Sequence, residues 1–252
     1  MIEVSRLYCG YGKTDVLSDV NFTVKENEKL CVIGPNGCGK TTLMRALIGY
    51  ISYRGEIKIS GKSISNMKRK EISSKIALLS QISGISFDYS VYETVALGRY
   101  ISTSRKILEA QTKSEQEKIL SYIESVGLLD IKDKPITELS GGQLQRVMLA
   151  RTLAQEPSII LLDEPTNHLD LKHQLALIEY LKVWGSKPNH CIIGVMHDLN
   201  LAMQLADKIL LLGEGRVHAF DKTENVLKSA ELEKVFKTDV KGYMKKSFKM
   251  WN

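Results

Sequence analysis

The chain has 252 residues, enough for one large domain or a core with a smaller lobe. Hydrophobic residues make up 43% and charged residues 25%, as in an ordinary soluble globular protein, and no apolar run approaches the roughly 18–20 residues that span a bilayer. A net charge of +6 suits nucleic acid, anionic lipid or a triphosphate equally, but Lys and Arg are scattered without an arginine-rich block or interleaved aromatics; a solvated surface is expected, and no nucleic-acid partner. Met1-Ile2-Glu3-Val4-Ser5-Arg6 lacks the basic end and apolar stretch of a signal peptide, so a cytosolic location, or one on the cytosolic side of a membrane, is expected. Cys9, Cys31, Cys38 and Cys191 form no CxxC pair and no metal-ligand spacing, as buried or free thiols in a reducing compartment would.

In chain order, residues 2–5, 20–24 and 30–33 alternate or run apolar in the manner of strands, with a turn read at Gly10-Tyr11-Gly12. A helix with an apolar face follows over 43–48, then strands at 55–59 and 75–79, the latter leading into Ser80-Gln81. From 82 to about 138 the pattern changes to helical periodicity at 92–97 and 115–126, with a polar segment between them, which reads as a helical insertion. An amphipathic helix at 143–154 leads through Pro157 to an apolar strand at 158–162 that ends in Asp163-Glu164. A helix at 171–183 precedes a buried strand at 191–196 ending at His197-Asp198. A strand pair at 208–212 and 215–219 turns about glycine, and the tail from Asp221 is amphipathic and rich in lysine. Strands alternating with helices predict an α/β core with a mostly parallel sheet.

The chemistry concentrates at a few points. Gly34-Pro35-Asn36-Gly37-Cys38-Gly39-Lys40-Thr41-Thr42 is a phosphate-binding loop between a buried strand and a helix. Its glycines let backbone N–H groups turn inward around a phosphate, and the helix N-terminus adds partial positive charge. Lys40 reaches the β- and γ-phosphates, and the Thr41 hydroxyl is placed to bind Mg²⁺. Such a loop predicts nucleoside triphosphate binding. Asp163, closing an apolar strand, sits at the sheet edge where α/β proteins bind ligands, and is read as a Mg²⁺ ligand through water rather than a plain polar cap. Glu164 is placed to orient or deprotonate a water attacking the γ-phosphate, which implies hydrolysis rather than transfer to an acceptor. Leu139-Ser140-Gly141-Gly142-Gln143 opens a helix, and is read either as a serine N-cap after a flexible turn or as a second anion site. One chain does not need two γ-phosphate sites unless one serves a neighbour, which points to nucleotide shared between two copies. Cys38, beside Lys40 and a helix N-terminus, is expected to carry a reactive thiol of lowered pKa that bound nucleotide protects from alkylation.

Residues 34–42, Leu139-Ser140-Gly141-Gly142-Gln143 and Leu161-Leu162-Asp163-Glu164-Pro165 together resemble the nucleotide-binding subunits of ATP-binding cassette (ABC) transporters, nearly from end to end. The resemblance implies a P-loop NTPase core (1–81 and about 139–252) with an N-terminal antiparallel β subdomain and a helical lobe (about 82–138). It implies two copies sandwiching two ATP molecules head to tail, with Ser140 on the partner's γ-phosphate. Gln81 matches the residue that senses Mg²⁺ and γ-phosphate and relays to a membrane subunit. Asp170, in Asn167-His168-Leu169-Asp170, matches a loop lying across the dimer, His197 a switch histidine at the γ-phosphate, and Tyr11 the aromatic that stacks on adenine, with Tyr8 close by. Ser90-Val91-Tyr92-Glu93-Thr94-Val95-Ala96-Leu97-Gly98-Arg99-Tyr100, and Leu169-Asp170-Leu171-Lys172-His173-Gln174, are similar to importers of ferric siderophores, haem and vitamin B12. In those the first stretch lies in the lobe facing the permease, and a substrate-binding protein takes part indirectly. Leu144 and the polar segment after Tyr100 depart from the pattern, whereas Arg146 matches it. A molybdate-type importer, a non-transport cassette acting on translation or DNA, and a P-loop kinase are the alternatives.

Overall fold

In the computed structural model of the chain, residues 1–80, 88–103, 112–167 and 169–249 are described; Gln81 and His168 lie outside the described residues. Strands β1 (Ile2–Tyr11), β2 (Thr14–Val24) and β3 (Lys29–Ile33) lead to helix α1 (Lys40–Leu47), then β4 (Tyr53–Ile59) and β5 (Lys62–Ser63). Next come α2 (Arg69–Lys75), β6 (Ile76–Leu79), α3 (Val91–Thr103), α4 (Lys113–Ser125), α5 (Gly141–Ala154), β7 (Ile159–Asp163) and α6 (Leu171–Gly185). The remaining elements are β8 (Cys191–Val195), α7 (Leu199–Leu205), β9 (Lys208–Gly213), β10 (Arg216–Lys222), α8 (Thr223–Lys228), α9 (Ala230–Phe236) and α10 (Val240–Lys249). They divide into two compact units, Met1–Met67 with Leu181–Asn252, and Lys68–Tyr180. No helix of the described residues is long and apolar enough to cross a membrane.

The first unit holds the expected N-terminal antiparallel sheet, in the order β2-β1-β4-β5. It also holds a parallel group in which β3 lies between β8 and β9, with β10 antiparallel to β9. Every residue of β3 and β8 is buried, which is why these strands read as unbroken apolar runs rather than alternating ones. Helix α1 buries Leu43, Met44 and Leu47 and packs over β1 and β2. The first hairpin differs from the expected turn at Gly10-Tyr11-Gly12. Gly10 and Tyr11 finish β1, and the hairpin turns on Gly12 and Lys13. Gly10 is needed for crowding rather than turning, since a Cβ there would meet Thr14 O at 2.0 Å. The tail also differs from one amphipathic segment. Strand β10 continues to Lys222, and the helices α8, α9 and α10 follow.

The second unit contains the described part of the expected lobe together with α2, β6, α5 and β7. Its strands β6 and β7 run parallel, from Ile76 opposite Ile159 to Leu79 opposite Leu162. Val91 and Val95 of α3, Ile119 and Ile123 of α4, and Val147 and Leu153 of α5 make its helical core. Gly98 lets α3 approach α5 closely, for a Cβ would stand 2.2 Å from Arg151 O. Arg99, only 5% exposed, donates from Nε and Nη2 to the Glu115 carboxylate at 2.9 and 3.3 Å and from Nη1 to Ala154 O at 2.8 Å. The same Nη1 lies 3.0 Å from Glu156 Oε2. In the Gly98-Arg99-Tyr100 stretch, therefore, the glycine and arginine face inward and tie three helices together, while Tyr100 is 52% exposed.

Removing the Arg99 charge leaves two carboxylates behind, a costlier change than never having had the pair. Because Glu156 is partly solvated, the Arg99→Met variant should lose about 2 kcal/mol, less than a fully buried pair would, by chemical denaturation at neutral pH. Burial pushes the Glu156 pKa up, but Arg99 and Lys118 outweigh it and hold the carboxyl below its ordinary range. This part of the stability is present above the ordinary carboxylate range and lost as pH falls through the lowered value. Equal stability of variant and wild type across that range would show the cluster to be dispensable.

Candidate nucleotide site

The phosphate loop begins where β3 ends. Gly34 has φ +157°, and a Cβ on it would meet Leu212 O at 2.0 Å, so no side chain fits between this residue and β9. Gly39, at φ +108°, caps α1, and a Cβ there would lie 2.5 Å from Leu17 Cδ2. The turn therefore brings the N–H groups of a helix N-terminus to the loop. Lys40 is buried to 6% exposure, with Nζ donating to the Gly34 and Pro35 carbonyls at 2.8 and 2.9 Å. Its ammonium thus lies beneath the loop that Gly34, Pro35, Asn36 and Gly37 form. Thr41 is exposed on the first helical turn and Thr42 is buried.

Two more expected residues lie in the same unit. Strand β8 runs parallel to β3 with Val195 opposite Val32, so exposed His197 emerges at the strand end that also launches Gly34. Tyr11, ending β1, is 48% exposed, and its hydroxyl accepts a hydrogen bond from Arg45 Nη1 at 2.9 Å.

Cys38 is corrected. The residue is 5% exposed, and burial pushes the thiol's pKa up more than Lys40 and the backbone N–H groups pull it down, contrary to the expectation of a lowered value. A helix N-terminus favours thiolate only where the charge stays solvated or paired.

In the second unit, Asp163 is the half-buried last residue of β7. Glu164 follows at φ +54°, a left-handed backbone that a residue with a Cβ adopts at a cost of about 1–3 kcal/mol. Three hydrogen bonds hold the loop that keeps it there. Asn167 Nδ2 donates to Glu164 Oε2 at 2.6 Å, Gln145 Nε2 to Pro165 O at 2.8 Å, and Gln174 Nε2 to Thr166 O at 3.1 Å. Ser140 is the N-cap of α5 in a full capping box, accepting from Gln143 N at 3.3 Å while Gln143 Oε1 accepts from Ser140 N at 2.9 Å. The plain N-cap reading is thus met. Ser140 and Gly141 are nevertheless exposed. Asp170 Oδ1 accepts from His173 N at 2.9 Å and lies 2.7 Å from its Nδ1, which holds the Asp170 pKa down. A Cβ on Gly142 would lie 3.6 Å from the same imidazole, so His173 bridges the Ser140–Gln143 turn and Asp170.

Arg45 and Gln145 were not singled out from the sequence, and Asn167 and His173 entered only as members of stretches that resemble known families, with no role of their own. Only Asn167 carried a signal, being three residues beyond Glu164 within side-chain reach of a tight turn.

A family model described as ABC transporter matches residues 17–167. The chain is 38% identical over 244 residues to the hemin import ATP-binding protein HmuV of Rhizobium etli, covering 94% of this chain and 90% of that one. It is 37% identical over 232 residues, 92% of its own length, to the uncharacterized ABC transporter ATP-binding protein YvrA of Bacillus subtilis, of which it spans about half, 52%. Among solved structures it matches a protein described as a metal-chelate type ABC transporter, in an inward-facing conformation, with a TM-score of 0.79 and 29% identity over 93% of this chain and 88% of that one. The chain belongs to the ABC transporter family.

Burial governs the thiols. It raises the pKa of Cys9 to about 11 and those of Cys31 and Cys191 to about 12, Cys38 being raised too. A disulfide probe such as 5,5′-dithiobis(2-nitrobenzoate) should therefore react slowly with the native chain at pH 7.5 and titrate all four thiols in denaturant. A prompt native reaction that Cys38→Ser abolishes would restore the sequence-based expectation of a reactive thiol.

Proposed function

We propose that this chain is the ATP-hydrolysing subunit of an importer that moves a metal chelate, a ferric siderophore, haem or cobalamin, through a separate membrane permease. One observation carries the reading: the loop of Lys40 and Thr41 leaves β3 at the same end from which His197 leaves the adjacent, parallel β8. In α/β proteins that end of the strands is where ligands bind. The haem-import relative and the metal-chelate transporter support the cargo class, as does the 90–100 stretch. The permease holds the subunit at the cytoplasmic face of the membrane as a peripheral protein, and a substrate-binding protein acts only indirectly.

The chain hydrolyses ATP to ADP and phosphate. Tyr11 stacks on the adenine. Lys40 exchanges its hold on the Gly34 and Pro35 carbonyls for β- and γ-phosphate oxygens, and the N–H groups from Gly34 to Thr42 surround the phosphates. The Thr41 hydroxyl and the Asp163 carboxylate are hard oxygen donors suited to Mg²⁺, with Gln81 as a further donor. That ion, when bound, neutralises charge developing on the phosphates. Glu164 orients the attacking water and accepts its proton, and His197 hydrogen-bonds the γ-phosphate. Ser140, Gly141, Gly142 and Gln143 meet the γ-phosphate held by a second copy, with Asp170 lying across the junction. ATP therefore closes a head-to-tail dimer, and loss of the γ-phosphate contacts reopens it to drive the permease.

Replacing Glu164 by Gln keeps the shape and removes the proton acceptor. ATP hydrolysis should fall by about 10²–10⁴-fold with MgATP affinity retained, measured by phosphate release and by calorimetric titration. Full hydrolytic activity in Glu164→Gln would remove this residue from its role.

A further inference from the structure

Two tyrosines stand near the end of β1, and the structure distinguishes them. Arg54 lies over the face of Tyr8, 5.5 Å from the ring centroid, and is held there by Asp15 at 2.6 Å. That face is taken. Tyr11 is held differently. Arg45 grips only its hydroxyl, at 2.9 Å, and among the described residues no ring or cation lies over its face.

Arg45 belongs to the last turn of α1, the helix whose first turn carries Lys40 and Thr41. Arg45 stands five helical steps beyond Lys40, about 7.5 Å along the axis. One rigid element thus carries a phosphate-binding end and a grip on an exposed aromatic ring. Tyr11, at 48% exposure, has little packing of its own to choose a rotamer, so the hydrogen bond supplies the constraint. Guanidinium is always protonated and donates in a fixed plane, which suits it to hold a phenol oxygen in one orientation.

We propose that Arg45 is a positioning residue: by fixing the Tyr11 hydroxyl it presets the ring against which the nucleotide's base stacks, and so couples base recognition to the helix that holds the phosphates. The inference rests on the reading of Tyr11 as the adenine-stacking ring. Arg45 itself touches neither the base nor the reacting atoms. Its contribution is the rotamer freedom that Tyr11 has already lost before ligand arrives.

The test compares a ligand with a base and one without, using calorimetric titration of the full chain with MgADP and with magnesium pyrophosphate. Arg45→Ala and Tyr11→Phe should each weaken MgADP about 3- to 10-fold, the size expected for ordering one side chain on binding. Both should leave pyrophosphate affinity unchanged, and the double variant should be no weaker than either single one. Arg45→Lys, which keeps a cationic donor, should recover part of the loss. Melting curves of each variant confirm folding. Unchanged MgADP affinity in Arg45→Ala overturns the proposal. So does an equal loss for pyrophosphate, which would make Arg45 a simple electrostatic attractor. Tyr11→Ala separates the two layers. If it weakens MgADP while Arg45→Ala does not, only the positioning role fails; if it too has no effect, the stacking reading falls first.

Discussion

The contact between Gly34 and the Leu212 carbonyl constrains the whole nucleotide end of the first unit. The backbone must leave β3 pressed against β9 so closely that any side chain would collide, and must then reverse through Gly37 and Gly39 into α1. Only with that path do the helix N–H groups and the Lys40 ammonium converge on one concavity. The apolar burial of β3, β8 and β9 keeps this edge rigid, and the parallel register of β3 with β8 places His197 on it. Position here comes from packing, and chemistry from a few polar groups at the strand ends.

The second unit solves a similar problem by different means. Its α5 N-terminus is made by an ordinary capping box rather than by left-handed glycines, so Ser140 serves the helix whatever else it contacts; such a cap contributes about 1 kcal/mol. Glu164 is the strained member, held at positive φ by a loop pinned to α5 through Gln145 and to α6 through Gln174. Strain of this kind persists only when the surroundings over-determine it. The Gln145 hydrogen bond thus ties the position of α5 to the backbone just after Glu164.

Much of this was legible in the residues. The phosphate loop, the buried strands and the main helices follow from spacing and apolar runs, because those signals are local. What escaped is non-local. Arg99 reads as part of a surface motif until Glu115 and Glu156 fold against it, and Gly10 reads as a turn until Thr14 crowds it. Cys38 was misjudged because Lys40, two positions on, pulls toward the thiolate, whereas the burial that outweighs it cannot be read from the neighbouring residues. Arg45 lies 34 positions from Tyr11, and no periodicity connects them. Gln81 lies outside the described residues, so its role stands on resemblance alone.

A site shared between two copies is the central claim, and molecular mass tests it most directly. Light scattering after size exclusion of the Glu164→Gln protein, with and without MgATP, is the measurement. The account predicts a monomer that becomes a dimer only with MgATP, and reverts when Ser140→Ala is added. A monomer at saturating MgATP, or a dimer indifferent to both nucleotide and Ser140, would contradict it.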